Sequence, residues 1–412
     1  MTVSTTVTPE NAYPTIQSDR GYMPALTGIR AIAAYMVCFF HYNPIKQIPH
    51  THGWQQLAYN FFNELHTGVT IFFVLSGFLI CYRYYETITH ITGSWFKRYF
   101  LNRFARIYPM FFLITLLTFF LTEHDSVWYE AVPVYRDALP SERLAIFGMN
   151  LTLLKGFFND YKFTGIAQSW SLTVEECFYA CAPFFIIYFK RSRWAFAVLP
   201  AFTLLFALCL WQTLGRLHYH GLFGSSFFIL NFTFFGRCLE FFAGMGLAVY
   251  MLRQRHRMGG TIPTRRGGWI TSTSIVLFLA ATIAMAVIHS HLSLPQTLNE
   301  VDLNGHSKDT YLGIAINNVA LPIVVSMLFY GLLTEKTWFR SLLSTNLLDL
   351  LGKSSYIFYL IHMGVINAII RAYPGHNSIM QFIVLNLLSI ILYKFVESPI
   401  HRWLKPTPTL AR

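Results

Sequence analysis

The stretch TYLGIAINNVALPIVVSMLFYGLLT, residues 310–334, contains no charged side chain along 25 positions. An α-helix needs about 20 residues to cross the hydrocarbon core of a bilayer, so this stretch can span a membrane. Uncharged runs of this kind recur along the chain, at 31–45, 65–82, 107–122, 194–215, 267–299, 354–370 and 372–393. This repetition predicts a polytopic membrane protein.

The composition excludes the soluble classes of protein. Of 412 residues, 54% are hydrophobic and 12% are charged, whereas soluble domains carry about 25% charged residues. The 39 Phe, 23 Tyr and 9 Trp residues bring more apolar surface than a disordered chain tolerates. Because open sheet edges cannot be satisfied in lipid, the predicted fold class is all-α, a polytopic integral membrane helical bundle.

Two further apolar segments carry embedded charges, with Glu175 and Glu176 in one and Arg237 and Glu240 in the other. Counting both as spans, the sequence predicts about ten transmembrane helices, near 24–42, 67–85, 101–122, 170–189, 194–214, 232–252, 268–289, 311–333, 350–370 and 376–398. The long connection 123–169 holds the apolar stretch Leu144–Leu154, which is too short to span and is expected to form an interfacial helix or lid.

Lys and Arg side chains are distributed unevenly between the two sides of this arrangement. One side carries 22 of the 31 and the other carries eight. Cytoplasmic loops are enriched in Lys and Arg, so the rich side is predicted to be cytoplasmic, with both termini inside. This bias accounts for the net charge of +12 without a nucleic-acid partner. We expect a polar N-terminal tail (1–20) without a cleavable signal, one membrane-embedded domain (21–405) and a short C-terminal tail (406–412).

Arg30 and His41 are ionisable groups inside the first predicted span. Eleven residues at ~100° each leave about 20° between them, so both lie on one helix face, roughly 16 Å apart along the axis. Taken separately, Arg30 could snorkel to the inner surface and His41 could lie at the outer interface. Their shared face favours a functional role.

The third and fourth predicted spans begin with charged pairs. Arg103 and Arg106 lie at i,i+3, where two guanidinium groups suit a phosphate ligand, although ordinary positive-inside anchoring explains them equally well. Glu175 and Glu176 open the fourth span. A carboxylate there could orient a histidine, which favours function over packing.

Polar side chains on the ninth predicted span form one stripe, made of Ser355, Tyr356, Tyr359 and His362. His362 could be a ligand, a base or a hydrogen-bonding contact between helices. For Ser76-Gly77, Arg237 with Glu240, and the i,i+4 pair Cys177 and Cys181, packing or pairing is the favoured role, and no metal site is predicted.

Six motifs occur in a characteristic order: Arg30 with His41 eleven residues later, Phe72-Phe-Val-Leu-Ser76-Gly77-Phe, Arg103-Phe-Ala-Arg106-Ile-Tyr-Pro109, Trp170-Ser-Leu-Thr-Val-Glu175-Glu176, Ser355-Tyr-Ile-Phe-Tyr359-Leu-Ile-His362 and Glu397-Ser-Pro399. Together they resemble the membrane acyltransferase 3 family, whose members acylate sugars and other hydroxyl compounds. The resemblance runs from Leu26 to the C-terminus. Thr70 stands where many members have Asp, and the chain is expected to be a stand-alone membrane enzyme without the SGNH hydrolase-like domain of some members.

The resemblance implies an acyl-CoA co-substrate, commonly acetyl-CoA, and a carbohydrate hydroxyl of a cell-surface or lipid-linked polysaccharide in a bacterial inner membrane. CoA phosphates are then expected at Arg30, Arg103 and Arg106, with the pantetheine arm reaching toward His41. In the acyl transfer, His41 is expected to be the general base, with Glu175 or Glu176 as its partner. The substrate path is expected to be lined by Ser76, Tyr356, Tyr359 and His362.

Other functions stay open on the sequence alone. Some members of the family acylate macrolides or other small hydroxyl compounds. A transporter or flippase could use Arg30, Arg237 and Glu240 as substrate or proton sites. A haem or metal protein could use His41 and His362 as axial ligands.

Overall fold

The computed structural model describes residues 22–45, 53–124, 133–259, 264–291, 308–375 and 377–404. The predicted tails, 1–20 and 406–412, lie outside these ranges. The helices are α1 (Pro24–His41), α2 (Trp54–Asn63), α3 (Gly68–Tyr84), α4 (Gly93–His124), α5 (Pro133–Asp137), α6 (Pro140–Leu151), α7 (Trp170–Arg191), α8 (Ala195–Thr213), α9 (Ser226–Phe232), α10 (Phe234–Arg257), α11 (Trp269–His291), α12 (Lys308–Ala315), α13 (Leu321–Thr334), α14 (Trp338–Leu343), α15 (Asn346–Ile361), α16 (Val365–Ala372), α17 (Ser378–Leu392) and α18 (Ser398–Leu404).

Strands in the described ranges are limited to one short parallel pair, β1 (Arg265–Arg266) and β2 (Glu335–Lys336). Nine helical segments of the same ranges are long and apolar enough to cross a membrane. A tenth segment is α15 together with α16, which meet at 85°. The predicted helical membrane bundle of about ten spans is therefore confirmed, with the predicted span at 350–370 broken.

The break follows His362, which caps the C-terminal end of α15. Gly364 has φ +82°, a backbone conformation that favours glycine because a Cβ would be strained there. The sequence predicted one continuous span over 350–370, with His362 well inside it. That prediction is wrong at this point, because the helix ends at Ile361 and a separate helix begins at Val365.

Close helix packing surrounds the region where the candidate site lies. A Cβ placed on Gly77 of α3 would lie 2.2 Å from the carbonyl oxygen of Phe241 in α10. A Cβ on Gly352 of α15 would lie 1.9 Å from the carbonyl oxygen of Thr27 in α1. Small residues let helix backbones approach this closely in membranes, so the packing role predicted for Gly77 is confirmed.

A buried polar network joins α3, α10 and the π-helical turn before α13. Arg237 donates to both carboxylate oxygens of Glu240, at 2.7 and 3.0 Å. Thr70 Oγ1 lies 2.9 Å from Glu240 Oε1 and 3.2 Å from Asn317 Oδ1. The structural pairing predicted for Arg237 and Glu240 is confirmed. Thr70 belongs to this network, and among the described residues it has no hydrogen bond to His41.

The long connection before α7 is partly helical. The helix expected over Leu144–Leu154 is α6, which lies a few residues earlier, at Pro140–Leu151. Ile146 of α6 is fully buried and clusters with Phe119 of α4. A loop made of residues 164–169, here called the 164–169 loop, then leads directly into α7.

Candidate active site

A cavity lies among α1, α3, α4, α7 and α15. Seven of the residues predicted from the sequence line it: Arg30, Ser76, Arg103, Arg106, Glu175, Tyr356 and Tyr359. Three other predicted residues, His41, Glu176 and His362, are not among its lining residues. The structure therefore gathers the predicted donor-binding and substrate-path residues in one place and sets the histidines apart from it.

The cavity is strongly cationic at one end. Arg103 and Arg106 lie at i,i+3 on α4, and Arg30 lies on α1. In the described part of the chain, none of the three guanidinium groups makes a hydrogen bond or ion pair to protein. Arg103 is buried, and its Nε has no hydrogen-bond partner. Buried donors without partners are costly, so this end of the cavity suits an anionic ligand.

Glu175 lies at this cationic end. Ser76 Oγ donates to Glu175 Oε1 at 2.6 Å, and the Tyr179 hydroxyl donates to Glu175 Oε2 at 3.2 Å. Glu176 has a buried carboxylate oxygen without a hydrogen-bond partner. Among the described residues neither carboxylate bonds to His41, so the geometry differs from the expected Glu–His contact, because α7 directs Glu175 toward Ser76 instead.

His41 pairs with the second histidine. His362 Nε2 lies 3.2 Å from His41 Nδ1, and the ring centroids are 5.2 Å apart. His41 Nδ1 also lies 2.9 Å from the carbonyl oxygen of Val37, one turn back in α1. His362 is fully buried, and its Nδ1 lies 2.7 Å from the carbonyl oxygen of Tyr359. The broken span thus brings together two imidazoles from opposite ends of the sequence.

Tyr359 connects the cavity with the histidine pair. It lines the cavity, and its ring centroid lies 5.6 Å from that of His362. Its hydroxyl lies 2.8 Å from Ser171 Oγ and donates to the carbonyl oxygen of Gln168 at 3.1 Å. The substrate-path role expected for Tyr359 stays a prediction, but its position between the two groups fits that role.

Gln168 is a buried residue that the sequence did not single out. Its side-chain amide donates to the carbonyl oxygens of Tyr359, at 2.9 Å, and Leu360, at 2.8 Å. The last carbonyls of a helix have no partner within the helix, and Gln168 satisfies two of them at the end of α15. The nearest sequence signal is its position just before the Trp170 motif.

Lys155 is a second residue that the sequence did not single out as functional. It is fully buried and donates to the carbonyl oxygens of Thr164 and Ile166, the latter at 2.8 Å. Burial lowers the pKa of Lys155 well below its usual value, because removal from water disfavours the ammonium form. Its two hydrogen bonds tie the side chain to two backbone carbonyls within residues 164–166. Lys155 thereby fixes the 164–169 loop that carries Gln168.

A haem or metal ion with His41 and His362 as axial ligands on its opposite sides does not fit this arrangement. Their facing nitrogens are only 3.2 Å apart, whereas two nitrogens on opposite sides of one metal ion would be about 4 Å apart. His41 Nδ1 is in addition directed at the Val37 carbonyl. The described ranges contain no group of three or more metal-ligating side chains.

A family model described as an acyltransferase domain, Acyl_transf_3, matches residues 23–393. YrhL of Bacillus subtilis strain 168, named as a candidate peptidoglycan O-acetyltransferase, is 24% identical over 396 residues. The O-acetyltransferase OatA of Staphylococcus aureus strain NCTC 8325 is 24% identical over 404 residues. Each alignment covers 92% of this chain, which spans a little over half of the relative's length, 55% and 57% respectively. No solved structure matches. The match of the family model over residues 23–393, most of the chain, shows that this protein belongs to the acyltransferase 3 family.

Proposed function

We propose that this protein is a membrane O-acyltransferase that moves an acyl group, first of all acetyl, from acyl-CoA to a hydroxyl group of a carbohydrate. The observation that carries the proposal is the cavity with three arginines that make no hydrogen bond or ion pair to the described residues, joined through Tyr359 to a hydrogen-bonded histidine pair. Family membership and the O-acetyltransferase names of two relatives support the same reaction class.

The arginine end of the cavity is the proposed site for the phosphate groups of CoA. Guanidinium groups present planar, paired donors that bind phosphate oxygens well. The pantetheine arm would extend from Arg30 toward His41, about 16 Å along α1. The arm would pass Tyr356 and Tyr359, which line the cavity.

His41 is the proposed general base. Its Nε2 takes the proton of the acceptor hydroxyl while the hydroxyl oxygen attacks the thioester carbonyl carbon. The C–S bond breaks as the new ester forms, and the CoA thiolate recovers a proton from the His41 imidazolium. Each turnover therefore consumes one acyl-CoA and one alcohol, releases one CoA thiol and one ester, and leaves the histidine neutral.

The proposed sidedness follows the distribution of Lys and Arg. The arginine end would face the cytoplasm, where acyl-CoA is found, and His41 would lie toward the opposite leaflet of a bacterial inner membrane. An acceptor that reaches His41 from outside would be a polysaccharide of the cell envelope. A transporter without transferase activity gains no support from Arg237 and Glu240, because these two side chains satisfy each other.

The test is acetyl transfer by the purified protein in detergent. Radiolabelled acetyl-CoA is mixed with soluble fragments of cell-envelope polysaccharide, and base-labile label on the carbohydrate is counted, since mild base cleaves O-acetyl esters. A transferase needs no membrane gradient, so wild-type protein should label the fragments. His41→Ala should lower the rate by about 10²-fold or more while eluting from gel filtration like the wild type. Equal labelling by the two proteins would refute the proposed role of His41, and label on neither would refute the donor and acceptor classes.

A further inference from the structure

We infer that His362 is a positioning residue that holds His41 in the tautomer with an unprotonated Nε2, and that Gln168 fixes His362 for this purpose. The inference rests on the proposed function, since it concerns the base of that reaction. In a Ser-His-Asp triad, a carboxylate holds the histidine in its tautomer and orientation. Here a neutral imidazole, that of His362, has this role. His362 also replaces the expected partner of His41, Glu175 or Glu176, and lies 321 positions away in the sequence.

The hydrogen-bond partners determine where the protons lie. A backbone carbonyl can only accept, so the contact of 2.7 Å between Tyr359 O and His362 Nδ1 places a proton on that nitrogen. His362 is fully buried among aromatic rings, without a carboxylate partner in the described contacts, which favours the neutral ring. Its Nε2 is then an acceptor.

The same reasoning applies to His41. Its Nδ1 lies 2.9 Å from the Val37 carbonyl oxygen and 3.2 Å from His362 Nε2, and both of these atoms accept. The proton of a neutral His41 must therefore be on Nδ1, shared between two acceptors. The lone pair is left on Nε2, where the reaction requires it. When Nε2 takes up the acceptor proton, the resulting imidazolium keeps its Nδ1–H bond to His362, which stabilises the positive charge.

Gln168, in the 164–169 loop, completes this chain of hydrogen bonds. Tyr359 O accepts from His362 Nδ1 and from Gln168 Nε2, the second contact measuring 2.9 Å. Gln168 also holds Leu360 O, so it fixes the direction of two carbonyls at the end of α15. Since the His362 ring is oriented by one of these carbonyls, a shift of the 164–169 loop would turn the ring away from His41.

A simpler role for His362 would be to fill space between helices. Two substitutions separate the roles. His362→Phe keeps an aromatic ring of similar shape beside Phe358 but has no acceptor for His41 Nδ1. His362→Gln loses the ring but can place an amide oxygen near the position of Nε2. A packing role predicts that the Phe variant is the better enzyme, whereas a positioning role predicts that the Gln variant is.

The experiment measures acetyl transfer and the ring nitrogens of His41. With labelled acetyl-CoA, we expect His362→Phe to lower kcat on the order of 10- to 100-fold with KM for acetyl-CoA within about twofold, and His362→Gln to recover part of the loss. Gln168→Met should lower kcat in the same way. Its matched control is Ser169→Ala, which removes a buried hydrogen bond to Ile166 O but no hydrogen bond to α15. In ¹⁵N-histidine NMR of the wild type, difference spectra against His41→Ala should show a protonated Nδ1 and an unprotonated Nε2.

Several results would overturn the inference. A His362→Phe enzyme with kcat near the wild-type value or above that of His362→Gln would show that no acceptor is needed. A wild-type spectrum with the His41 proton on Nε2 would contradict the tautomer, even if no variant at position 362 can be purified. Failure of the wild type to use acetyl-CoA would count against the proposed function, whereas the NMR spectrum tests the tautomer independently of that outcome.

Discussion

Ser76 holds Glu175 at the arginine end of the cavity through a hydrogen bond of 2.6 Å. The carboxylate therefore lies among the groups proposed to bind phosphate, not beside His41. A negative charge at this place opposes an anionic donor, so Glu175→Gln should lower KM for acetyl-CoA by about two- to fivefold. The amide oxygen of Gln can still accept from Ser76, and kcat should stay within about threefold. Steady-state kinetics at several acetyl-CoA concentrations separate the two constants. A collapse of kcat with unchanged KM would restore Glu175 as the partner of His41.

Removing one arginine should weaken donor binding. Arg106 lines the cavity and makes no hydrogen bond or ion pair to protein in the described ranges. Arg106→Gln should raise KM for acetyl-CoA by roughly tenfold or more, because a hydrogen bond to a charged group contributes about 1.5–3 kcal/mol. Arg193→Gln is the matched control, since Arg193 is exposed and outside the cavity. Equal KM values for the two variants would argue against a phosphate site at Arg106.

Lys155 gives the fold a pH dependence. Burial lowers its pKa well below the ordinary value of 10.5, so the unfolded chain binds a proton that the folded chain does not in the window between the two values. The free energy of unfolding should therefore rise with pH across that window up to about 10.5. We expect wild-type protein to gain thermal stability relative to Lys155→Met as the pH rises toward about 10.5. Melting curves in detergent at several pH values measure this difference, and parallel curves would show that Lys155 stays charged in the fold.

The contact between α3 and α10 leaves no room for a side chain at Gly77. A Cβ there would lie 2.2 Å from the backbone oxygen of Phe241, so Gly77→Ala must separate the helices and should cost about 1–3 kcal/mol or more. Gly246→Ala on α10 is the control, because it faces α8 and its Cβ would lie no closer than 3.7 Å to the Phe196 ring. The melting temperature in detergent should fall for the first variant only. A stable Gly77→Ala protein would show that α3 can shift at little cost.

The number and approximate position of the membrane spans could be predicted from the sequence, because a helix in lipid must be long and almost free of charge. Charge-free runs located the spans, and the periodicity of α1 placed Arg30 and His41 on one face. The arginine pair on α4 likewise follows from its i,i+3 spacing. These are local relationships, readable within one helix.

The missing parts of the site depend on contacts between distant segments. Helical periodicity does not reveal that α15 ends at Ile361. The positive φ of Gly364 is needed only because α16 runs in a different direction from α15. The partner of His41 lies 321 residues away, and the direction of Glu175 depends on how α7 faces α3. Gln168 carries no charge and lies in no repeat, so its role depends on where α15 stops.

The interrupted span also bears on assembly of the protein. Its terminal carbonyls are buried, and unpaired backbone groups in an apolar bundle cost several kcal/mol each. The amide that satisfies two of them belongs to Gln168, which is synthesised 191 residues before Tyr359. The 164–169 loop, which Lys155 holds in the folded protein, is therefore synthesised before the interrupted helix. The partner of the α15 carbonyls is thus already synthesised when α15 and α16 are made.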